Sequence, residues 1–208
     1  MEHRNLHSLI PLANFKVVLG FDDREDALSR YCLITATYTI EQYCKRRLIR
    51  KKHTDYLTFS GDHIFNLREY PVQRVLTVHA ATAGTVQRGE ALSSPANLVD
   101  PKHYYCIPDE GIHEDIPFLL VLRPPLRLSR EEMGIQVRYL AGYVPGKAPP
   151  DLASACLELA AWNMSRYRGR RIGMTGAVRG SGKDGEHLEA SMPENVRQLL
   201  EPYKRRTI

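Results

Sequence analysis

The 208-residue sequence predicts an α+β fold on three observations. Two long stretches, 22–48 and 151–168, repeat apolar residues at the three- and four-residue steps of an amphipathic helix. The block between them, 56–143, is made of short runs rich in β-branched and aromatic residues, broken by Gly, Pro, Asp and Ser. A shorter helical pattern closes the chain. The expected architecture is a small helical bundle of two long helices plus a C-terminal helix, with a strand-rich block inserted between the long helices. The expected division is an N-terminal arm at 1–21, a core at 22–169, a Gly-rich flexible loop at 170–191 and a C-terminal docking helix and tail at 192–208.

Residues 1–21 include HSLIPLANFKVVLGF, with Pro11 in its middle. An arm, an edge strand and a short helix are all open there. Asp22 and Asp23 then begin a helix, and Glu25 and Asp26 place negative charge in its first turn, where the helix dipole favours it. Leu28, Tyr31 or Cys32, Ala36, Ile40, Tyr43 or Cys44, and Leu48 form its apolar stripe. Thr35, Thr37 and Thr39 are poor helix formers, so packing must hold this middle section. YLTFS, HIFNL, VQRVLTVHA, HYYCI, FLLVL and GIQVRYLAGY read as five or six strands. The segment Ala83–Pro101 follows neither period and reads as an exposed loop, and PDEGIHEDIP reads as a turn. Asp151 is expected to cap the second long helix beyond two prolines. Leu152, Ala155, Cys156, Leu159 and Asn163 or Trp162 form its stripe. The basic residues Arg166, Arg168, Arg170 and Arg171 crowd its end, where cations complement the dipole. Beyond the Gly-rich segment, MPENVRQLLEPYKRR forms the last helix, with a small stripe of Val196, Leu199, Leu200 and Tyr203. That stripe has two uses open to it, folding back on the core or docking on a partner.

Composition narrows the function classes. At 43% hydrophobic and 25% charged residues, the chain has the make-up of a soluble globular protein. No apolar run reaches the roughly 20 residues of a membrane helix, and MEHRNLHSLIPLANF lacks the apolar centre of a signal peptide. Synthesis in a cytoplasm and no membrane partner are therefore expected. Cys32, Cys44, Cys106 and Cys156 are too widely spaced for a CxxC pair and are expected to be reduced, buried thiols. The net charge of +5 is concentrated in two clusters, Lys45–Lys52 and Arg166–Lys183, suited to solvent or to anionic partners.

Catalytic patterns fail on inspection. VRGSGKDG lacks a phosphate loop's first glycine, having Ala177 there, and has Asp184 where Ser or Thr should follow the lysine. The eight histidines make no HExxH helix and no ligand-spaced pair, and no nucleophile elbow follows a strand. Asp109, Glu110, Glu114 and Asp115 sit beside Gly111, where acids are commonest as solvated turn residues. No catalytic residue, cofactor or metal is expected. No helix-turn-helix, zinc-finger or RNP pattern is present either.

Taken in order, several phrases resemble the head-to-tail connector, or adaptor, proteins of tailed bacteriophages and related gene-transfer particles. They are IEQYCKRRL (Ile40–Leu48), IFNLREYPVQRVLTV (Ile64–Val78), a Tyr-centred strand at Tyr104–Ile107, VRYLAGY (Val137–Tyr143), the proline-led helix from Pro150, and MPENVRQLLEPYKR (Met192–Arg205). The resemblance implies a structural virion protein with no active site. Its subunits would form a ring, usually of twelve, beneath the portal, joining the DNA-filled head to the tail and extending the DNA channel. Implied partners are the portal protein, a further neck or tail-completion protein, other copies of itself and the passing genomic DNA. The implied location is the virion neck, after synthesis in the bacterial host cytoplasm. The portal contact would fall to Val196, Leu199, Leu200 and Tyr203, and Arg166, Arg168, Arg170 and Arg171 would face a neighbour, the portal or DNA. The alternative is a nonspecific DNA-binding accessory protein using its basic loop; a hydrolase or nuclease with a site in the strand block comes third.

Overall fold

Proline and glycine bound the first ordered element. The computed structural model describes residues 8–20, 22–82, 91–108, 117–123, 127–130, 132–169 and 192–205. Its first helix, α1 (Leu12–Leu19), starts beyond Pro11 and stops at Gly20. Of the conformations open to the first twenty residues, 12–19 take the short helix. Leu9, Ile10 and Phe15 are buried, so the segment expected as an arm contributes side chains to the core over its described part.

The chain divides into two compact units. One is helical, Met1–Arg46 with Val144–Ile208, and the other is Arg47–Tyr143, built of strands. The fold is α+β, with the strand block inserted between the two long helices as the sequence predicts.

In the helical unit, Asp22 accepts a hydrogen bond from Arg24 N at 3.0 Å and opens a 3₁₀ turn, Asp23–Glu25. The helix α2 (Asp26–Cys44) follows and ends where Lys45 turns left-handed. The helix predicted to run to Leu48 is therefore shorter. Cys32, Ala36, Ile40 and Cys44 are its buried stripe, so Cys32 and Cys44 are chosen over Tyr31 and Tyr43. The threonines are accommodated by packing and local bonds. Thr37 is buried and accepts from Leu9 N at 3.1 Å, and Thr39 Oγ1 donates back to Thr35 O at 2.9 Å.

The helix α3 (Pro150–Arg168) has Pro150 in its first turn, with Pro149 in the cap position. Asp151 is therefore not the cap. It is the second residue of the helix and accepts from Leu152 N at 2.8 Å and from the Tyr203 hydroxyl. Its buried stripe runs Leu152, Ala155, Cys156, Leu159, Ala160 and Met164, so Met164 fills the place predicted for Asn163 or Trp162. The last helix, α4 (Glu194–Leu200), ends in a 3₁₀ turn at Glu201–Tyr203. α1 packs on α2, α2 on α3, and α3 on α4.

The β unit holds six strands in two antiparallel sheets. β1 (Lys51–Leu57), β6 (Ile135–Ala141) and β3 (Val72–Ala80) form one, with β6 central. β2 (Ile64–Asn66), β5 (Pro117–Leu122) and β4 (Tyr104–Pro108) form the other, with β5 central. The first strand starts at Lys51, five residues before the predicted block, because a polar strand shows no hydrophobic alternation. Val78, Ile135, Val137 and Tyr139 of the first sheet share one core with Phe65, Leu120 and Leu122 of the second. Of the segment expected as an exposed loop at 83–101, residues 91–101 are mostly exposed, with short 3₁₀ turns at Pro95–Asn97 and Pro101–His103, but two of them anchor it to the core. There Asn97 and Val99 are buried, Val99 N donates to Val78 O at 2.9 Å, and Leu98 bridges His79. Residues 83–90 of that segment, most of the 108–117 turn with Asp109, Glu110, Glu114 and Asp115, and the Gly-rich 170–191 segment lie outside the described residues.

Candidate functional site

Buried polar chemistry in the β unit is structural. Tyr139 donates to Asp55 Oδ2 at 2.8 Å and accepts from Glu69 N at 3.0 Å, while Arg68 N donates to Asp55 Oδ2 at 2.7 Å. Arg47 N donates to Glu69 Oε2 at 2.8 Å. Both carboxylates are thus used as acceptors for backbone amides and a phenol. Burial, reinforced by Asp55, drives the Tyr139 hydroxyl far above its ordinary range, which makes it a fixed donor and a poor acid. Burial also lowers the His53 imidazole, whose ring lies 5.7 Å from that of Tyr139.

The thiols have the character of packing groups. Cys32, Cys44 and Cys156 are fully buried, and burial pushes each up to about 11. Reactive cysteines need the opposite shift, towards thiolate. Among the described residues, no group of three His, Cys, Asp or Glu could hold a metal ion, and no helix is long and apolar enough to cross a membrane.

The C-terminal segment is clasped by the helical unit. Val196, Leu200 and Tyr203 are buried, and Leu199 is half-buried. Tyr43 donates to Glu201 at 2.7 Å, Lys204 sits 4.4 Å above the Tyr43 ring and 2.6 Å from Glu201, and Arg205 N donates to Cys44 O at 2.8 Å. Lys204 first, and then Tyr43, lower the Glu201 pKa. The side chains expected to meet a portal therefore face the chain's own helices; of the two uses open to that stripe, the described conformation takes the fold-back.

The basic candidates are divided. Arg166 stacks 4.6 Å from the Trp162 ring centroid, and Arg168 pairs with Glu25. Arg170 and Arg171 lie outside the described residues. In the earlier cluster, Arg46 is buried, whereas Arg50, Lys51 and Lys52 are exposed.

A surface that periodicity alone did not single out lies on α2. Tyr31, Ile34 and Tyr38 are 54%, 38% and 58% exposed. At 100° per residue they fall within an arc of about 60°, opposite the buried stripe. Tyr31 also meets Tyr167 of α3 edge-on, with ring centroids 5.5 Å apart. The signal was a second apolar stripe on the same helix, visible as soon as Cys32 is assigned inward. α1 adds exposed Val17 and Val18.

No family model and no curated protein matches the sequence. Solved structures do. A chain described as "Neck of empty GTA particle computed with C6 symmetry" aligns at a TM-score of 0.59 and 21% identity, covering 96% of this chain and 91% of that one. The fold is one found in the neck of gene transfer agent particles. Chains from "Neck of native GTA particle computed with C12 symmetry" and "Virion of native gene transfer agent (GTA) particle" align at TM-scores of 0.55 and 0.53, each at 20% identity and the same coverage. The likeness spans both units and agrees with the family resemblance of the sequence phrases.

Proposed function

We propose that the protein is a structural, non-catalytic component of the neck of a phage-like particle, a ring subunit that joins the DNA-filled head to the tail and extends the DNA channel. The observation that supports this most is the end-to-end likeness in fold, 96% of this chain against 91% of the other, to chains of necks solved with six- and twelve-fold symmetry. A ring of twelve copies is the stoichiometry we assign. The exposed Tyr31, Ile34 and Tyr38 stripe is assigned to the contact between copies, where aromatic side chains supply large contact area. The portal and a further neck or tail-completion protein are the proposed partners. We assign the portal contact to the outward side of 192–205, because Val196, Leu200 and Tyr203 are occupied inside the chain.

An early stop codon in the gene, followed by electron microscopy of the induced particles, tests the reading. Filled or leaking heads separated from complete tails are expected. Normal tailed particles would remove the protein from the neck and leave the DNA-binding accessory role as the reading to pursue.

A further inference from the structure

The sheet β1-β6-β3 buries one face, and its other face carries cations without a carboxylate. The register places Lys52, Leu140 and Arg74 in one row across the three strands, Thr54, Arg138 and Thr77 in the next, and Tyr56, Gln136 and His79 in the third. Lys52, Arg74 and Arg138 are exposed, and among the described residues none of their side chains makes a hydrogen bond or ion pair. The acid on β1, Asp55, points the other way and is buried on Tyr139. Burial first, and then Arg138, lower the His79 imidazole below its ordinary range.

Stability gives no reason for this pattern. A lysine on an edge strand guards against strand pairing, which accounts for Lys52. Arg138 is on the central strand, where there is no edge to guard, and it lies diagonal to both Lys52 and Arg74. Like charges set about 7–8 Å apart across a sheet repel. Carboxylates at Thr54 or Thr77 would relieve that repulsion, and hydroxyl groups stand there instead.

We infer that this sheet face meets the phosphate backbone of duplex DNA. Three cations over two rows offer charge without a groove-reading helix, so the contact is independent of base sequence. It is also weak in a single subunit, which suits DNA that must slide past. For its purpose the inference rests on the neck reading, since it names the surface of the subunit that the passing genome meets.

The test is fluorescence anisotropy of a short random-sequence duplex titrated with the purified full-length chain over a range of salt. Three phosphate contacts predict a slope of log K against log salt of about −2.7, at roughly 0.9 per contact. The Lys52→Gln, Arg74→Gln, Arg138→Gln triple variant should lose more than tenfold in affinity at low salt and most of the slope. Arg74→Lys with Arg138→Lys should retain binding, and so should Arg166→Gln with Arg168→Gln. Circular dichroism checks that each variant is folded. Wild-type chain without salt-dependent binding, a triple variant that binds like wild type, or an equal loss in the Arg166 and Arg168 variant would overturn the inference. Normal tailed particles from the stop-codon experiment, with this binding intact, would sink the neck reading and leave the DNA face standing.

Discussion

Replacement of Gly142 by alanine tests the joint through which the chain enters and leaves the β unit. Gly142 has φ +101°, and a Cβ built there lies 2.7 Å from the Ile49 carbonyl carbon and oxygen and 2.8 Å from Arg50 N. All three are backbone atoms, and the backbone is tied on both sides. Tyr143 N donates to Leu48 O at 2.6 Å, Arg50 N to Tyr143 O at 2.9 Å, and Gly142 N to Pro71 O at 3.0 Å. Gly61 is the internal control, because it has φ +123° but nothing within 4 Å of an added Cβ. Gly61→Ala should cost only the strain of an unfavourable backbone conformation, about 1–3 kcal/mol. Gly142→Ala incurs the same strain and must also push two chain segments apart. Losing two of the three hydrogen bonds adds about 2 kcal/mol, at about 1 kcal/mol each. The total, about 3–5 kcal/mol, is a large part of the 5–15 kcal/mol that holds a typical domain folded. Urea denaturation followed by far-ultraviolet circular dichroism, with hydrogen exchange of the 135–143 amides to localise the effect, gives both values. If Gly142→Ala lies within about 0.5 kcal/mol of Gly61→Ala, the ordinary scatter of surface substitutions, the steric argument is wrong.

Three further outcomes are expected. Tyr139→Phe leaves Glu69 N without its acceptor and Asp55 with one donor fewer, and should destabilise the β unit by about 1–3 kcal/mol in the same denaturation assay. Leu200→Ala removes a fully buried side chain of α4 and should cost about 2–5 kcal/mol, read from the fluorescence of the single tryptophan, Trp162; a chain whose C-terminal helix served docking alone would show no change. The folded-state pKa of His53 lies below its ordinary 6.5, chiefly through burial. The unfolded chain therefore takes up the proton first, so this part of the stability is complete above pH 6.5 and is lost as the pH falls through the lower folded-state value. His53→Gln should flatten the stability profile as the pH falls below 6.5, measured by urea midpoints.

Local pattern carried much of the architecture. α3 announced itself through its proline-led start and its three- and four-residue steps, and five of the six strands were readable from residue type, whereas the first, read at 56–60, lies at Lys51–Leu57. Choices stayed open where two neighbouring residues fit the same period. Tyr31 and Cys32 both suit the α2 stripe, and only the helices packed against α2 decide that Cys32 turns inward and Tyr31 outward. The Asp151 cap was misread for a different reason, because Pro150 takes the first helical position and moves the aspartate into the first turn.

The candidate surfaces were less legible because their members are far apart in the chain. Val196, Leu200 and Tyr203 form an apolar stripe by sequence alone, but whether it closes on the chain or opens to a partner depends on α2 and α3. Lys52, Arg74 and Arg138 belong to three separate strands, and no window of sequence contains them together. Side-chain periodicity, set by bonded neighbours within a turn or a pleat, let the sequence by itself determine the two long helices and the closing one, the strand block and their order, while α1 stayed open. The tertiary structure alone decided which apolar stripe is covered and which charges share a face, because both depend on pairing between segments that the covalent chain does not hold together.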